Sequence, residues 1–316
     1  MAAQNQNLSL NFDDTESLFI DDDVTSDDLS FDLCSNRITK YLTEDSLNNF
    51  FHQRKSAAIH FLHVNCRSLQ KNFSGVTNLL NTCHPLTALA LTETWLTTLS
   101  QDIYHIPGYN FVSNIRVNKL GGGVGIFISD TMNYKLRSDL CCMYPYIEGV
   151  FLEVIQANKC NILLGCIYRP PNTDVLLFKD AVLTILNIID SENHKIALIA
   201  GDFNLDLLKH HIHLSTGEFL NNMLSHLFFP CIRNPTRITE SSATLLDNIF
   251  INCVKNEFDA AVIYNDISDH LPVAIRIETN IVRDRSLDHV KKRIFDNKSI
   301  QDFNILMMNQ SWDEVY

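Results

Sequence analysis

Eight polar side chains stand at or beside the ends of apolar, strand-like segments of this sequence. They are carboxylates, carboxamides, a phenol and an imidazole, groups that recur in catalytic sites: Asn65, Glu93, Tyr168, Asp202, Asn204, Asp247, Asp269 and His270. In a layered sheet, polar groups that follow neighbouring strands meet at one mouth, and catalytic residues commonly lie on such loops. The spacing therefore predicts one catalytic site at one edge of a sheet.

Each fragment of this pattern is a weak signal when taken alone. A Gly-Asp-x-Asn segment such as 201–204 is most often only a turn with Asx hydrogen bonds. A glutamate after a strand is usually solvated, and an Asp-His pair is more often a surface hydrogen bond than a catalytic dyad. The informative feature is the ordered set from Asn65 to His270, in which a strand precedes nearly every member.

The elements that must position these residues can be predicted from hydrophobic periodicity. Apolar runs predict strands at 57–64, 86–91, 121–129, 134–140, 149–155, 161–168, 195–200, 245–252 and 273–277. Apolar residues at helical spacing predict helices at 68–83, 174–189 and 215–227, and a short helix within 37–56. Ser215 and Glu218 are spaced as a capping box. Because many strands follow one another directly, an α+β layered domain on antiparallel or mixed sheet is favoured over a doubly wound fold.

Seven short motifs carry a resemblance to a known family. They are HVNCRSL at 63–69, LTETWL at 91–96, GGGVGI at 121–126, YRPP at 168–171, AGDFNL at 200–205, TLLDNIF at 244–250 and SDHLP at 268–272. In this order, over about residues 59–278, they resemble the endonuclease/exonuclease/phosphatase superfamily. The residues within these motifs are most similar to those of the apurinic/apyrimidinic-like endonuclease domain of non-LTR retrotransposons. The resemblance implies a two-layer β-sandwich flanked by helices, the deoxyribonuclease I-like four-layer αββα fold.

The resemblance also implies a metal site for phosphodiester hydrolysis. This reaction needs a metal to neutralise developing charge, an oriented water and a stabilised leaving oxygen. Mg²⁺ prefers oxygen ligands and keeps several waters, so one or two carboxylates are enough. By resemblance, Glu93 is the principal ligand of Mg²⁺, or of Mn²⁺ in its place, and Asn65 and Asp269 lie close to the metal or its waters.

The remaining motif residues are assigned roles on the phosphate and the attacking water, again by resemblance. Asp202 would orient or deprotonate the water, and Asn204 would hydrogen-bond a phosphate oxygen. His270 would contact the scissile phosphate, with its tautomer and position fixed by Asp247. Tyr168 would donate to the phosphate or to the transition state. The division between base and metal ligands stays open at this point.

The net charge of −12 argues at first against a nucleic-acid partner, whose binding proteins are usually basic. Nine acidic residues and no Lys or Arg lie in 1–36, which leaves −3 for the rest of the chain. We therefore expect an acidic, disordered tail and lead-in at 1–56, the catalytic domain at 57–279 and a charged connector at 280–316. DNA is not excluded as a partner, because clustered carboxylates that bind a cation reverse the local charge.

Other features bear on location and partners. There is no apolar run long enough for a membrane span, and the nine cysteines form no C-x-x-C pair. Because residues 1–10 are polar, we do not expect a secretory signal. We expect a nuclear or cytoplasmic protein with reduced thiols, no membrane partner and a monomeric state. Arg116 and Lys119 are candidate phosphate contacts. Trp95 is expected either to stack on DNA or to pack under the metal site, and the histidine-rich tract at 209–213 is predicted to be a solvated loop.

Three functional hypotheses follow from the sequence. The first is a Mg²⁺-dependent DNA endonuclease of retrotransposon origin that nicks one strand and leaves a 3′-hydroxyl. The second is a phosphoesterase of the same fold that acts on a substrate other than DNA. The third is a catalytically idle remnant that only binds protein or nucleic acid. No reverse transcriptase signature follows the endonuclease-like motifs, and the residues after Phe295 are interpreted as the start of a connector.

Overall fold

The computed structural model describes residues 39–52, 58–83, 86–100, 102–117, 121–156, 160–192, 196–253 and 258–278, and five residues between 300 and 308. The predicted acidic tail at 1–36 and nearly all of the predicted connector at 280–316 lie outside these ranges. Within them, no helix is both long and apolar enough to cross a membrane.

Seven strands form the first sheet. They are β1 (Lys40–Leu42), β2 (Ala58–Asn65), β3 (Ala88–Thr92), β4 (Tyr109–Asn114), β5 (Val124–Ser129), β15 (Phe258–Ile263) and β16 (Val273–Glu278). Their order in the sheet is β1-β15-β16-β2-β3-β5-β4. Strands β2 and β3 are parallel, with Asn65 opposite Thr92, so the carboxyl ends of both strands reach the same edge.

Seven further strands form the second sheet. They are β6 (Tyr134–Leu136), β7 (Cys142–Tyr144), β8 (Ile147–Val154), β9 (Ile162–Tyr168), β10 (Ile196–Asp202), β11 (Phe229–Pro230) and β14 (Asp247–Ile251). The main path is β11-β14-β10-β9-β8-β6, and β7 also pairs with β8. A separate two-stranded ribbon joins β12 (Arg237–Ile238) to β13 (Ala243–Thr244).

Helices cover the outer faces of the two sheets. They are α1 (Glu44–His52), α2 (Leu69–Thr82), α3 (Val175–Ser191) and α4 (Leu214–Ser225), with a 3-10 turn at Leu207–Lys209. The apolar faces of α1 and α2 share one buried cluster with alternate residues of β2 and β3, such as Leu62 and Val64. On the second sheet, Phe219 of α4 lies 5.6 Å from Phe178 of α3 and 5.8 Å from Phe250 of β14, measured between ring centroids.

The two sheets meet through their inner faces, where the central strands β2, β3, β8, β9 and β10 are buried along nearly their whole length. The thiol of Cys166 in β9 donates to the carbonyl of Leu91 in β3 across this interface, at 3.3 Å. Strands covered on both faces carry nearly continuous apolar runs. The predicted α+β fold, a β-sandwich flanked by helices, is therefore confirmed.

Some predicted elements differ in detail. The strand predicted at 134–140 ends at Leu136, because Leu140 and Cys141 donate to the carbonyl of Arg137 in a turn. The capping box predicted for α4 is wrong: the helix begins after His213 without a side-chain cap, and Glu218 forms an ion pair with Lys179 of α3. Strands β4 and β15 were not expected, because their apolar runs are interrupted by polar residues.

Candidate active site

Strand register in the second sheet aligns three of the predicted residues in one row. Asp202, the last residue of β10, lies opposite Tyr168 at the end of β9 and opposite Asp247 at the start of β14. Residues opposite one another in neighbouring strands project from the same face of a sheet. The phenol and the two carboxylates are therefore side by side on the inner face, and all three are buried.

The first sheet adds Asn65 and Glu93 to this row. The side-chain N–H₂ of Asn65, at the end of β2, donates to Glu93 Oε1 and to Asp202 Oδ2, both at 2.9 Å. Its own carbonyl oxygen, Oδ1, accepts from the backbone N–H of Arg67 at 3.2 Å. Asn65 thus bridges the two sheets and holds two carboxylates on either side of one amide.

The loop that carries Glu93 has a strained backbone and is hydrogen-bonded to a glycine loop, residues 121–123. Glu93 and Trp95 have φ values of 53° and 54°, a left-handed conformation that is costly for residues other than glycine. The backbone N–H groups of Thr94 and Trp95 donate to the carbonyls of Gly123 (3.1 Å) and Gly122 (2.8 Å). These bonds fix the conformation that turns the Glu93 carboxylate towards Asn65.

Asp247 and His270 form a buried dyad. His270 Nδ1 lies 2.8 Å from Asp247 Oδ2 and 3.9 Å from Asp202 Oδ2. The hydroxyl of Thr236 donates to the same Asp247 oxygen at 2.8 Å and accepts from the backbone N–H of Asp247. This contact places Asp247 where it can fix the position and tautomer of His270.

Burial and neighbouring charges shift the protonation of these groups in opposite directions. Desolvation, together with the charge of Asp247, raises the pKa of Asp202 to about 7. Burial alone would lower the pKa of His270, but Asp247 and Asp202 outweigh it and raise that pKa to about 9. The site therefore contains an imidazolium at neutral pH beside a carboxyl that can exchange a proton near pH 7.

Asn204 and Arg169 fix the loop that follows β10. Asn204 has a φ of 47°, and its side-chain N–H₂ donates to the carbonyl of Arg169 (2.8 Å) and to Asp202 Oδ2 (3.3 Å). The guanidinium of Arg169 is buried and donates to the carbonyls of Phe203 (2.9 Å), Asn204 (2.7 Å) and Thr173 (3.1 Å). Asn204 is thereby placed next to Asp202.

Asp269 lies beside this group but faces cations. Its carboxylate accepts from Arg67 at 2.7 Å and from Arg237 at 2.9 and 2.8 Å. Burial opposes ionisation of Asp269, but these hydrogen bonds and the charge of His270 outweigh it and lower the pKa of the carboxyl. In this arrangement both oxygens already accept hydrogen bonds from arginines, which a metal ligated by Asp269 would have to share or displace.

The donor chemistry of the site fits a hard divalent cation at Glu93. Glu93 is half-buried and also accepts a hydrogen bond from the Trp95 indole N–H at 3.3 Å. Asn65 faces it with its N–H₂ group, so oxygen ligation by Asn65 requires the amide to turn. A second group, Asp202, Asp247 and His270, brings three ligand atoms within 4.8 Å of one another, and within it Asp247 and His270 are joined by a hydrogen bond.

A cavity of about 620 Å³ opens beside Glu93 and Tyr168. Its wall contains exposed aromatic and proline side chains, among them Trp95, Tyr144 and Pro171, and the volume is within the range of small-ligand sites. Tyr168 borders this cavity with a hydroxyl whose pKa is raised by burial and by the charge of Glu93, so the phenol stays protonated and can donate.

Several functional neighbours carried no usable signal in the sequence. Arg169 lies in the Tyr-Arg-Pro-Pro motif, but its role depends on three backbone carbonyls that no pattern reveals. His63 is buried in β2, and its Nδ1 lies 3.8 Å from Asp247 Oδ1. Burial lowers the pKa of His63 to about 4, so the ring is neutral at pH 7. Its place two residues before Asn65 puts it on the same face of β2.

Two weaker predictions can also be compared with the structure. The guanidinium of Arg116 forms an ion pair with the buried carboxylate of Glu148 and is therefore not available as a simple phosphate contact. The same carboxylate also accepts a hydrogen bond from the Gly123 N–H at 2.5 Å. Lys119 lies outside the described residues. In the histidine tract, His211 and His213 are exposed, as expected of a solvated loop.

Solved structures share this fold. The endonuclease domain of TRAS1, a telomere-specific non-LTR retrotransposon, matches with a TM-score of 0.57 at 13% identity, over 71% of this chain and all of that one. The AP endonuclease LMAP from Leishmania major matches with a TM-score of 0.60 at 14% identity, over 80% and 96% of the two chains. The human Nocturnin catalytic domain, with a bound sulfate anion, gives 0.53 at 14% identity, over 71% and 94%.

Sequence comparison gives the family. No curated protein matches the chain. A family model does match, however, over residues 62–270, a range that includes Asn65, Glu93, Asp202 and His270. With the sandwich of two sheets and the polar row at its edge, this match shows that the chain belongs to the endonuclease/exonuclease/phosphatase family.

Proposed function

We propose that this protein is a Mg²⁺-dependent DNA endonuclease that cuts one strand and leaves a 3′-hydroxyl. The observation that carries the proposal is the row of Tyr168, Asp202 and Asp247, joined to Glu93 by Asn65 and to His270 by the dyad bond. This arrangement gathers a proton acceptor, proton donors, a cation and a metal-ligating carboxylate at one edge of the sandwich. Those are the groups that hydrolysis of a phosphodiester requires.

The roles of the side chains follow from their protonation states. Asp202, with a pKa near 7, accepts a proton from the attacking water, since a general base is most effective when its pKa is close to the working pH. His270, kept protonated by Asp247, donates to a phosphate oxygen and offsets its charge. Tyr168 donates from its neutral hydroxyl, and Asn204 supplies an N–H₂ group beside Asp202.

Glu93 would hold the divalent cation, and Asn65 and Asp269 are the further ligand candidates. A bound Mg²⁺ supplies charge neutralisation at the phosphate. The carboxylate of Glu93 is half-buried and provides the oxygen ligands that Mg²⁺ prefers. Asp269 would take part by sharing or exchanging its hydrogen bonds to Arg67 and Arg237, or it would orient those arginines towards a phosphate.

Two observations favour DNA as the substrate: the cavity beside Glu93 and the residues of three sequence motifs. The cavity offers Trp95 and Tyr144, whose ring faces can stack on a base, and such contacts are independent of base identity. The segments LTETWL, YRPP and LDNIF support descent from a non-LTR retrotransposon. We place the enzyme inside the cell, in the nucleus or the cytoplasm.

Plasmid nicking tests the proposal. Purified protein is incubated with supercoiled plasmid, with Mg²⁺ or with a chelator, and compared with Asp202→Ala and with the exposed-carboxylate control Asp180→Ala. We expect Mg²⁺-dependent nicked circles from the wild type and the control, loss of at least about 10³-fold in Asp202→Ala, and nicks that a polymerase extends directly.

Two outcomes would support the other hypotheses, and a third would overturn the mechanism. Folded protein that leaves plasmid intact but hydrolyses a small phosphoester, with the same loss in Asp202→Ala, supports a phosphoesterase with another substrate. Nicking that persists in Asp202→Ala overturns the mechanism. Binding without any turnover supports the idle remnant.

A further inference from the structure

We propose that His63 is a positioning residue of the active site, which donates a hydrogen bond from Nδ1–H to Asp247 and thereby orients the Asp247–His270 dyad. His63 lies in the middle of the sandwich, fully buried, with its ring between β3 of one sheet and β14 of the other. The expected changes in activity rest on the proposed function, whereas the expected tautomer of His63 does not.

Two buried polar atoms, His63 Nδ1 and Asp247 Oδ1, face each other without a hydrogen bond to any described residue. Within the described residues, neither His63 Nδ1 nor Asp247 Oδ1 has a hydrogen-bond partner, and the two atoms are 3.8 Å apart. Buried polar groups in folded proteins are almost always paired. The gap is too short for a water on the line between them, and a shift of less than about 1 Å closes it to a normal N–H···O distance.

The contact between His63 and Thr92 bears on the tautomer of the His63 ring. His63 Nε2 lies 3.2 Å from the hydroxyl of Thr92, which is itself buried. If Thr92 donates to Nε2, the single proton of the neutral imidazole must be on Nδ1, the atom that faces Asp247. Thr92 immediately precedes Glu93, so the chain Thr92–His63–Asp247–His270 links the loop of the metal-ligating carboxylate to the dyad.

The two carboxylate oxygens of Asp247 differ in their hydrogen bonds. One carboxylate oxygen, Oδ2, accepts from both His270 and Thr236, whereas Oδ1 accepts no hydrogen bond from any described residue and lies 3.8 Å from His63 Nδ1. A carboxylate held at one oxygen can rotate about its Cβ–Cγ bond, and the imidazole of His270 would then turn with it. A hydrogen bond at the second oxygen stops this rotation. Partners of this orienting kind typically change activity by about 10–100-fold when they are removed.

Substitutions at His63 test the role in catalysis. His63→Leu removes the donor at similar volume, and His63→Asn keeps an N–H₂ group near the position of Nδ1. We expect kcat for nicking to fall by about 10–100-fold in His63→Leu with KM nearly unchanged, since His63 does not contact the substrate, and to recover substantially in His63→Asn. His60→Leu is the matched control, because His60 is a buried histidine of the same strand that packs against Phe51 on the opposite face; its kcat should not change.

A double variant separates positioning from simple packing. If His63 acts through the dyad, His63→Leu causes no further loss in a His270→Ala background. Equal losses of kcat in both backgrounds, or equal losses in His63→Leu and His63→Asn, overturn the proposal.

The tautomer of His63 can be measured without any substrate. In ¹⁵N-labelled, metal-free protein, the imidazole nitrogens distinguish the two neutral tautomers, and His63→Asn identifies the signals of residue 63. We expect the Nδ1–H form. An Nε2–H form contradicts the proposal even if the enzyme nicks DNA, whereas the Nδ1–H form in a protein that nicks nothing leaves this inference standing and sinks only the proposed function.

Discussion

Asn65 and Asp202 are 137 residues apart in the chain, and the amide of the first donates to the carboxylate of the second at 2.9 Å. Asn65 ends a strand of one sheet and Asp202 ends a strand of the other, so this bond spans the sandwich at the active-site edge. The same N–H₂ group also binds Glu93. One carboxamide therefore sets the distance between the proposed base and the proposed metal ligand.

Asn65→Ala should lower nicking by at least about 10²-fold, because both carboxylates lose a common donor. The hydrogen bond from Asn65 lowers the pKa of Asp202, so its removal raises that pKa further. The acidic limb of the pH–rate profile for residual activity should move to higher pH. Loss of a partner to a buried carboxylate should also cost about 1–3 kcal/mol in free energy of unfolding. Asn110→Ala, an exposed asparagine in β4, is the control and should change neither quantity.

The metal-free protein should lose stability as the pH rises from about 6.5 to about 9. The folded-state pKa of His270 is raised to about 9 from an ordinary value of 6.5, so in this range the folded protein binds more protons than the unfolded chain. Stability then falls with increasing pH. Asp202, raised to about 7 from 3.8, contributes in the same direction up to about pH 7. Below pH 6.5 the lowered pKa of His63, about 4, acts in the opposite direction.

Thermal unfolding in a chelator, measured at intervals between pH 6.5 and 9, checks this expectation. His270→Gln removes the titrating group, and its melting temperature should depend less steeply on pH than that of the wild type. An equal slope in both proteins would show that His270 is not protonated in the folded state.

Arg169→Lys should impair the loop that holds Asp202 and Asn204. Lysine has a single ammonium group and cannot reproduce three diverging bonds to the carbonyls of Phe203, Asn204 and Thr173. We expect a loss of about 1–3 kcal/mol in free energy of unfolding and a fall in kcat that exceeds the change in KM. Arg276→Lys is a matched control, since Arg276 is equally buried and pairs with Asp259 at 3.4 Å. It should lower stability but leave kcat unchanged.

Much of this site could be predicted from the sequence because its residues end apolar strands. Asp202 and Tyr168 each close a run of buried aliphatic residues, and a polar residue at the end of such a run must reach the edge of the sheet. The layered α+β domain could be predicted for the same reason, since long apolar strands need cover on at least one face, whereas the two-layer sandwich was implied by the resemblance to the family. Strand register, which aligns Tyr168, Asp202 and Asp247, is not visible in the chain itself.

What could not be predicted depends on contacts between distant segments. Asp269 has the sequence context of a metal ligand, but Arg67 and Arg237 compete for its oxygens. Glu218 has the spacing of a helix cap, yet an ion pair with Lys179 on a neighbouring helix attracts it more strongly. Local patterns identify which groups are present, whereas the pairing of charges is decided by which segments the fold brings together.

Gly123 contacts the loop that carries Glu93 at a position where any larger residue would clash. Gly108 serves as a matched control. Gly123 and Gly108 both have a φ of 83°, so alanine at either position introduces similar backbone strain, about 1–2 kcal/mol. A Cβ at Gly123 would lie 2.6 Å from the hydroxyl of Thr94, whereas a Cβ at Gly108 meets nothing within 4 Å. Gly123→Ala must therefore displace the strained loop of Glu93, and Gly108→Ala need not.

We expect both variants to melt at a lower temperature than the wild type, and only Gly123→Ala to need more Mg²⁺ for half-maximal nicking. The reason is that the backbone N–H of Thr94 donates to the carbonyl of Gly123, so a shift of one loop moves the carboxylate on the other. Thermal unfolding and a Mg²⁺ titration of plasmid nicking measure the two effects separately. If Gly108→Ala raises the Mg²⁺ requirement as much as Gly123→Ala does, backbone strain alone explains the loss and the support of Glu93 by the glycine loop is disproved.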